Sequence, residues 1–443
     1  MEVLLLISLI GTIILVGFLG NVLFNKTNIP NTLWLLLFGL ILGSSGLFDK
    51  TALFSLAELI GAIAIITILS DGGLKLHIDT LFAQAKKGIL LMLLGVVSSI
   101  IVATLVMKFF GFSTELGILL GLIIAGTSSS VVIPTITKMK GIKEETKSLL
   151  SFESISDTFS IVIALILINL IAIKELNFKF VNVLALEQST IGPSFNVIFN
   201  SFLSAIAIGI IAGLLLAPLV YRAKKMEFHY SLIIGLLFLI YAFAESINSS
   251  GAITVFVTGI MMANSEKILK TIIPDKNIVW LQDVSQTHSL ISFLIRSFFF
   301  VFLGAIVSIS DFGALIIGIT IALLVFSARI GYVKLLAAKQ KLPAFDRHVM
   351  SVMVPRGLSA AVLATIPFSK GIIEAQLFVD IVFTIIIASI VISTIGITLA
   401  QRELKKQDTS KPQKTKEAAL VELKLEEPKK EQKIEEKQQK AEA

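Results

Sequence analysis

The chain has 443 residues, of which 55% are apolar and only 16% charged, a balance displaced from that of soluble domains toward the membrane. It contains no cysteine, which excludes disulfide frameworks, thiolate nucleophiles and Cys-ligated zinc or iron–sulfur centres, and no two of its four histidines have metal-ligand spacing. The net charge of +7 does not read as nucleic-acid binding: residues 401–443 hold 12 basic and 10 acidic groups, and basic loops are expected of any polytopic membrane protein.

A spanning helix needs roughly 20 mainly apolar residues. Thirteen such stretches follow in order: 3–24, 29–48, 52–71, 87–110, 115–138, 148–173, 197–221, 229–247, 250–264, 286–309, 312–337, 349–369 and 374–400. The first begins with Glu2 rather than a basic run, so it reads as a span and not as a secretion signal. An odd number puts the two ends on opposite sides. Alternate loops hold Lys26; Lys75, Lys86 and Lys87; Lys138, Lys140, Lys143 and Lys147; Arg222, Lys224 and Lys225; Lys267, Lys270 and Lys276; Lys339, Lys341 and Arg347. The other loops hold only Lys50, Lys174, Lys179 and Lys370. This asymmetry places the N-terminus outside and the tail in the cytoplasm. Residues 401–443, rich in Lys, Glu and Gln, cannot bury a core and are expected to be a disordered charged tail, a possible regulatory contact. Stretches 1–6 and 8–13 form equal halves about the seventh, and an offset of seven spans inverts one half relative to the other.

The fifth stretch contains GTSSSVVIPTITKM, where Thr127, Ser128, Ser129 and Ser130 compete for backbone hydrogen bonds and Pro134 removes one. A broken helix is expected, with freed carbonyls and hydroxyls able to hold a cation. The sixth contains SFESISDTFS. Asp157 lies ten residues after Lys147, roughly 15 Å along a helix and so about halfway across a ~30 Å hydrocarbon core. An ionised carboxylate there costs at least ~2.5–3.5 kcal/mol, and such groups mark functional sites. Glu153 and Ser160 are expected on the same helix face as Asp157. The tenth stretch carries Arg296, a deep cation able to neutralise Glu153 or another acid, and Arg329 in the eleventh follows the same logic. The twelfth contains MVPRGLSAAVLATIP, interrupted at Pro355, Arg356, Gly357 and Ser359. Paired interruptions in corresponding spans point to a transport site, and the freed helix ends call for nearby charges. Glu58, Glu245 and Asp380 read as partners or structural groups, and Asp71, at the head of SDGGLKL, as interfacial.

AGTSSSVVIP followed by ESISD, then AESINSSGAITVFVTGI, IRSFFFVFLG and PRGLSAAVLA, in that order over about residues 5–400, resemble the monovalent cation/proton antiporter superfamily of sodium/proton exchangers. The resemblance implies an all-α polytopic protein of about 13 transmembrane helices in two inverted six-helix repeats, with crossed discontinuous helices 5 and 12. It implies a homodimer whose dimerisation bundle covers about 1–80 and 229–309, and whose core bundle covers about 83–173 and 312–400 and moves like an elevator. It implies that Asp157 binds the ion, with Thr127 and Ser128 beside it and Ser154 and Ser156 as further hydroxyls. The alkali cation is then held chiefly by Asp157 and Thr127, with Glu153, Arg296, Arg356 and Arg329 compensating charge. Ser156 stands where the family usually has Asp or Asn, and Arg296 stands where two-aspartate, electrogenic members have lysine; a single aspartate implies electroneutral exchange.

The function expected is antiport of a monovalent cation, Na+ before K+ or Li+, against H+ at the cell membrane, with no cofactor and no enzyme chemistry. A sodium-coupled organic anion symporter also uses crossed broken helices, and a cation channel is a further alternative that lacks a filter-like carbonyl loop here. An intramembrane hydrolase would need a nucleophile–base pair that is missing.

Overall fold

The computed structural model describes residues 2–27, 29–46, 57–74, 78–139, 141–154, 156–184, 191–223, 229–264, 281–307, 311–340 and 342–404. The charged tail 405–443, Lys50, Lys75 and the lysines at 224–225 and 267–276 lie outside the described residues, as do the side chains of Glu58 and Ser156. Residues 1–394 form one unit and 395–443 a second. Of the second, 395–404 are described, and they are helical.

The described elements are all helices, with no strand among the described residues. In chain order the helices are α1 (Glu2–Thr27), α2 (Asn31–Ser44), α3 (Ala57–Leu74), α4 (Ile78–Phe109), α5 (Thr114–Ile123), α6 (Ser129–Lys138), α7 (Glu144–Glu153), α8 (Ser156–Leu184), α9 (Ile191–Ala223), α10 (His229–Ser246), α11 (Gly251–Ala263), α12 (Leu281–Ile306), α13 (Phe312–Gln340), α14 (Ala344–Val352) and α15 (Leu358–Ser369). A short 3-10 turn, Ile373–Leu377, precedes a last helix that starts at residue 378. Among the described residues, five helical runs are long and apolar enough to cross a membrane. Exposed apolar side chains cover α1 (Ile7, Leu15, Phe18), α4 (Ile101, Leu105) and α9 (Ile211, Leu215), while serine, threonine and arginine side chains lie buried within. That inversion of the soluble pattern suits a lipid surround.

Two apolar stretches are split. The fifth becomes α5 and α6, ten residues each, and the twelfth becomes α14 and α15, of nine and twelve residues. At 1.5 Å per residue each piece reaches about half of a bilayer core. Within the sixth stretch α7 is described to Glu153 and α8 from Ser156, with Ile155 outside the described residues. Ser154 turns its hydroxyl back onto the carbonyl of Ser151 at 2.7 Å.

Packing relies on close backbone approach. α2 lies on α12, α3 and α9 on α11, α5 on α4 and α8, α13 on α4 and α14, and α15 on α3 and α8. A Cβ on Gly39 would run into the carbonyl of Val301, and one on Gly304 into that of Leu36. Small residues let helices touch where oil offers no hydrophobic drive. The same physics corrects the reading of Asp71. It lies inside α3, because Gly72 and Gly73, which look like a turn, are contact points for Thr158 and for the backbone of Phe256.

Candidate ion site

Four helix ends meet where α5 gives way to α6 and α14 to α15. α5 stops at Ile123, residues 124–128 are non-helical, and α6 starts behind Ser128, whose backbone is extended (φ −66°, ψ 107°). On the other chain segment, residues 353–357 are non-helical. The two linkers bond directly: the N–H of Ser128 donates to the carbonyl of Pro355 at 2.9 Å. The second linker is also held by the last helix, with Ser393 Oγ accepting from the N–H of Val354 (3.3 Å) and Ser389 Oγ from that of Arg356 (3.0 Å).

Two of these helix ends meet a charge of the opposite sign. The C-terminus of α5 exposes unpaired carbonyls and carries partial negative charge. Arg356 answers it: Nη1 donates to the carbonyls of Ala125 (2.6 Å) and Gly126 (2.9 Å), and Nη2 to Ser99 Oγ on α4 (3.2 Å). The N-terminus of α15 carries partial positive charge, and Asp157, the second residue of α8, lies there. Its carboxylate accepts a hydrogen bond from Ser359, in the first turn of α15. Gly126 and Gly357 make this closeness possible, since a Cβ on Gly126 would collide with the carboxylate and backbone of Asp157, and one on Gly357 with the side chain of Ser128.

A second buried charge network lies beside this one. Arg329 grips Glu153 with two parallel bonds, Nη1 to Oε1 at 2.5 Å and Nη2 to Oε2 at 2.8 Å. Nε of the same arginine donates to the carbonyl of Met350 (2.8 Å), and Nη1 also to the hydroxyl of Tyr332 (3.0 Å). Both partners are 2% exposed, so the bidentate geometry and the extra acceptors are what offset their desolvation. Glu153 thus takes Arg329 and not Arg296, which sits on α12, away from this pair. The charge of Arg296 instead lies within reach of both Asp71 and Asp157, and its side chain lines a cavity of about 170 Å³ together with Asn31, Ser297 and Pro134.

Of the residues expected at the ion site, Asp157 and Ser128 converge with Gly126, Gly357 and Ser359. Thr127 sits at the rim: its hydroxyl donates to Glu153 Oε1 at 3.5 Å. Ser154 spends its proton inside α7. Three partners escaped the sequence reading of the site. Ser359 was visible only as part of an interruption, while Ser99 and Tyr332 stand among ordinary helical residues. Tyr332 follows Arg329 by three, a spacing that places both on one face and was the available signal.

Interrupted helices whose ends meet around a carboxylate define a class of polytopic membrane protein in which irregular backbone is kept for a transport site. Residues 10–401 match the family model described as "Sodium/hydrogen exchanger, transmembrane", and the chain belongs to that family. It is similar to the K(+)/H(+) antiporter NhaP of Alkalimonas amylolytica, 26% identical over 394 residues that cover 86% of this chain and 63% of the relative. It is also similar to the K(+)/H(+) antiporter NhaP2 of Shewanella baltica, 24% identical over 81% of this chain and 60% of the relative. The chain therefore spans about six-tenths of the length of these relatives. In fold it is similar to the sodium proton antiporter MjNhaP1 of Methanocaldococcus jannaschii, with a TM-score of 0.67 and 22% identity over 90% of this chain and 97% of that one.

Proposed function

We propose that the protein exchanges one monovalent cation for one proton across the membrane, with Asp157 as the group that binds either. The observation that carries this is the place of the Asp157 carboxylate: at the N-terminus of α15, against Gly126 beyond the end of α5, and bonded by Ser359. Glu153 is committed to Arg329, and Arg356 to backbone carbonyls, so Asp157 is the acid left to change its occupant. A proton and an alkali ion carry the same charge. One site that takes either, but not both, therefore exchanges them one for one without moving net charge. Carboxylate, hydroxyl and carbonyl oxygens are the hard ligands such a cation needs, and Thr127, Ser128 and Ser359 bring hydroxyls to the same place.

The wider reading follows the family. In that reading the chain has inverted halves of six spans about the seventh, crossed at spans five and twelve, and the site belongs to a core bundle of about 83–173 and 312–400. That bundle moves against a dimerisation bundle of about 1–80 and 229–309 in a homodimer, with the N-terminus outside. Coupling requires that the core reorient when loaded and stay when Asp157 is ionised and empty, the form worst suited to leaving water. The sequence points to Na+, whereas two relatives are named for K+. Reconstituted vesicles with an internal pH-sensitive dye, challenged with Na+, K+ and Li+ in turn, test the exchange and choose the ion. Asp157→Asn is expected to abolish cation-driven proton movement while the protein stays folded; undiminished exchange removes Asp157 from the mechanism.

A further inference from the structure

A cavity of about 310 Å³ lies between α3, α8, α10 and α15, and Asp157 is not among its walls. Two opposite charges face it, Glu245 from the end of α10 and Lys370, the residue that ends α15. Neutral oxygen-bearing side chains line the same space, among them Asn169 of α8 and Thr365 of α15. Glu245, Asn169 and Lys370 are exposed and Thr365 is buried, so the cavity runs from a mouth inward. Glu245 is held in place: its Oε1 accepts from the N–H of Gly251, the first residue of α11, at 2.8 Å. Neither its Oε2 nor the ammonium of Lys370 has a partner among the described residues.

We propose that this cavity is a second, peripheral site for a monovalent cation, with Glu245 as its anionic ligand, Asn169 and Thr365 as neutral oxygen ligands, and the Lys370 ammonium as a tethered competitor for the same carboxylate. Thr365 donates its own proton to the carbonyl of Val362 at 2.8 Å, which leaves its oxygen to face a cation as acceptor. Loop charges assign this mouth to the outside, so the site would gather cations on that face before they reach Asp157. The identity of the cation rests on the exchange reading above; the site itself does not. α3 and α10 belong to the proposed stationary bundle, and α8 and α15 to the moving one. Glu245 and Lys370 therefore ride on different bodies, and the competitor's grip would change through the cycle.

The plainer roles are that Glu245 only caps α11 and that Lys370 only sits at a helix C-terminus. Glu245→Gln separates these, because the amide carbonyl still accepts from Gly251. The experiment measures the apparent KM for the cation in membrane vesicles of both orientations, in the full chain, with proton movement as the readout. When the cation is offered on the Lys370 face, Glu245→Gln is expected to raise KM about threefold at unchanged maximal rate, and Lys370→Gln to lower it by a similar factor, the size of one partly screened charge. Unchanged KM in both variants, equal changes from both faces, or a fall in maximal rate at constant KM would overturn the proposal. If the unsubstituted protein moves no protons in response to cations, the exchange reading fails instead, and rubidium binding to purified protein then decides the site. Binding weakened by Glu245→Gln supports it, and binding indifferent to that change sinks it.

Discussion

Gly126 and Ser359 bear on Asp157 from the two interrupted segments, and each makes a sharp demand. A methyl group at position 126 has no space beside the Asp157 carboxylate, and the linker is fixed by Arg356 on its carbonyls. Gly126→Ala is therefore expected to cut exchange at least tenfold while leaving the helical content of the protein unchanged, as read by vesicle assay and circular dichroism. Glu153 and Arg329 make a different prediction. Removing one partner of a buried pair strands the other, at a cost of about 3–5 kcal/mol. Arg329→Met should lower the thermal midpoint of purified protein sharply, and Glu153→Gln less so, because an amide keeps an acceptor for the guanidinium. Equal, small shifts in both variants would contradict the closed pair. The sequence announces Asp157 because a carboxylate in an apolar run is costly and therefore conspicuous. It does not announce Arg356 as a cap for α5, because hydrogen bonds to carbonyls leave no mark on residue spacing; Ser99, from another helix altogether, is equally silent.

The two broken elements are legible in sequence. GTSSSVVIP and VPRGLS combine serine, proline and glycine, residues that weaken a helix locally, so the breaks at 124–128 and 353–357 are readable from composition. Asp71 fails in the opposite direction: Gly72 and Gly73 look like a loop and serve instead as helix contacts. The half-length helices need ties at their far ends as well. Asp346 in the first turn of α14 is 1% exposed, and its Oδ2 accepts from Thr146 Oγ1 at 2.7 Å and from the N–H of Lys143 at 3.3 Å, at the start of α7. This carboxylate caps one half-helix from another. Asp346→Ala is expected to cost about 1–3 kcal/mol of stability by stranding the α7 donors, with Asp346→Asn milder. A calorimetric midpoint that stays put in Asp346→Ala would remove the tie.

At the scale of the whole molecule, the apolar stretches and their loop charges carry most of what can be read without coordinates, since bilayer thickness imposes span length on any sequence. Which helices touch is less legible, because glycine contacts such as Gly39 on Val301 depend on the partner helix. Every residue assigned to the ion site lies before residue 394. Deleting 405–443 is therefore expected to leave cation-driven proton movement in place, with any change confined to its regulation; complete loss of exchange would show that the tail takes part in the transport step. One-for-one exchange at a single carboxylate further predicts a rate unaffected when valinomycin and K+ gradients impose a membrane potential on vesicles exchanging Na+ or Li+. A rate that follows the potential would mean that more than one charge moves per cycle.

The most direct test of the shared carboxylate is the apparent affinity for the cation as a function of pH, measured with the same reconstituted protein on one face. If proton and cation contend for Asp157, the apparent dissociation constant rises on acidification and approaches a tenfold increase per pH unit once the protonated form predominates, while the maximal occupancy stays the same. An affinity that ignores pH, or an occupancy that falls at constant affinity, would mean that the two ions bind apart and that Asp157 is not their common seat.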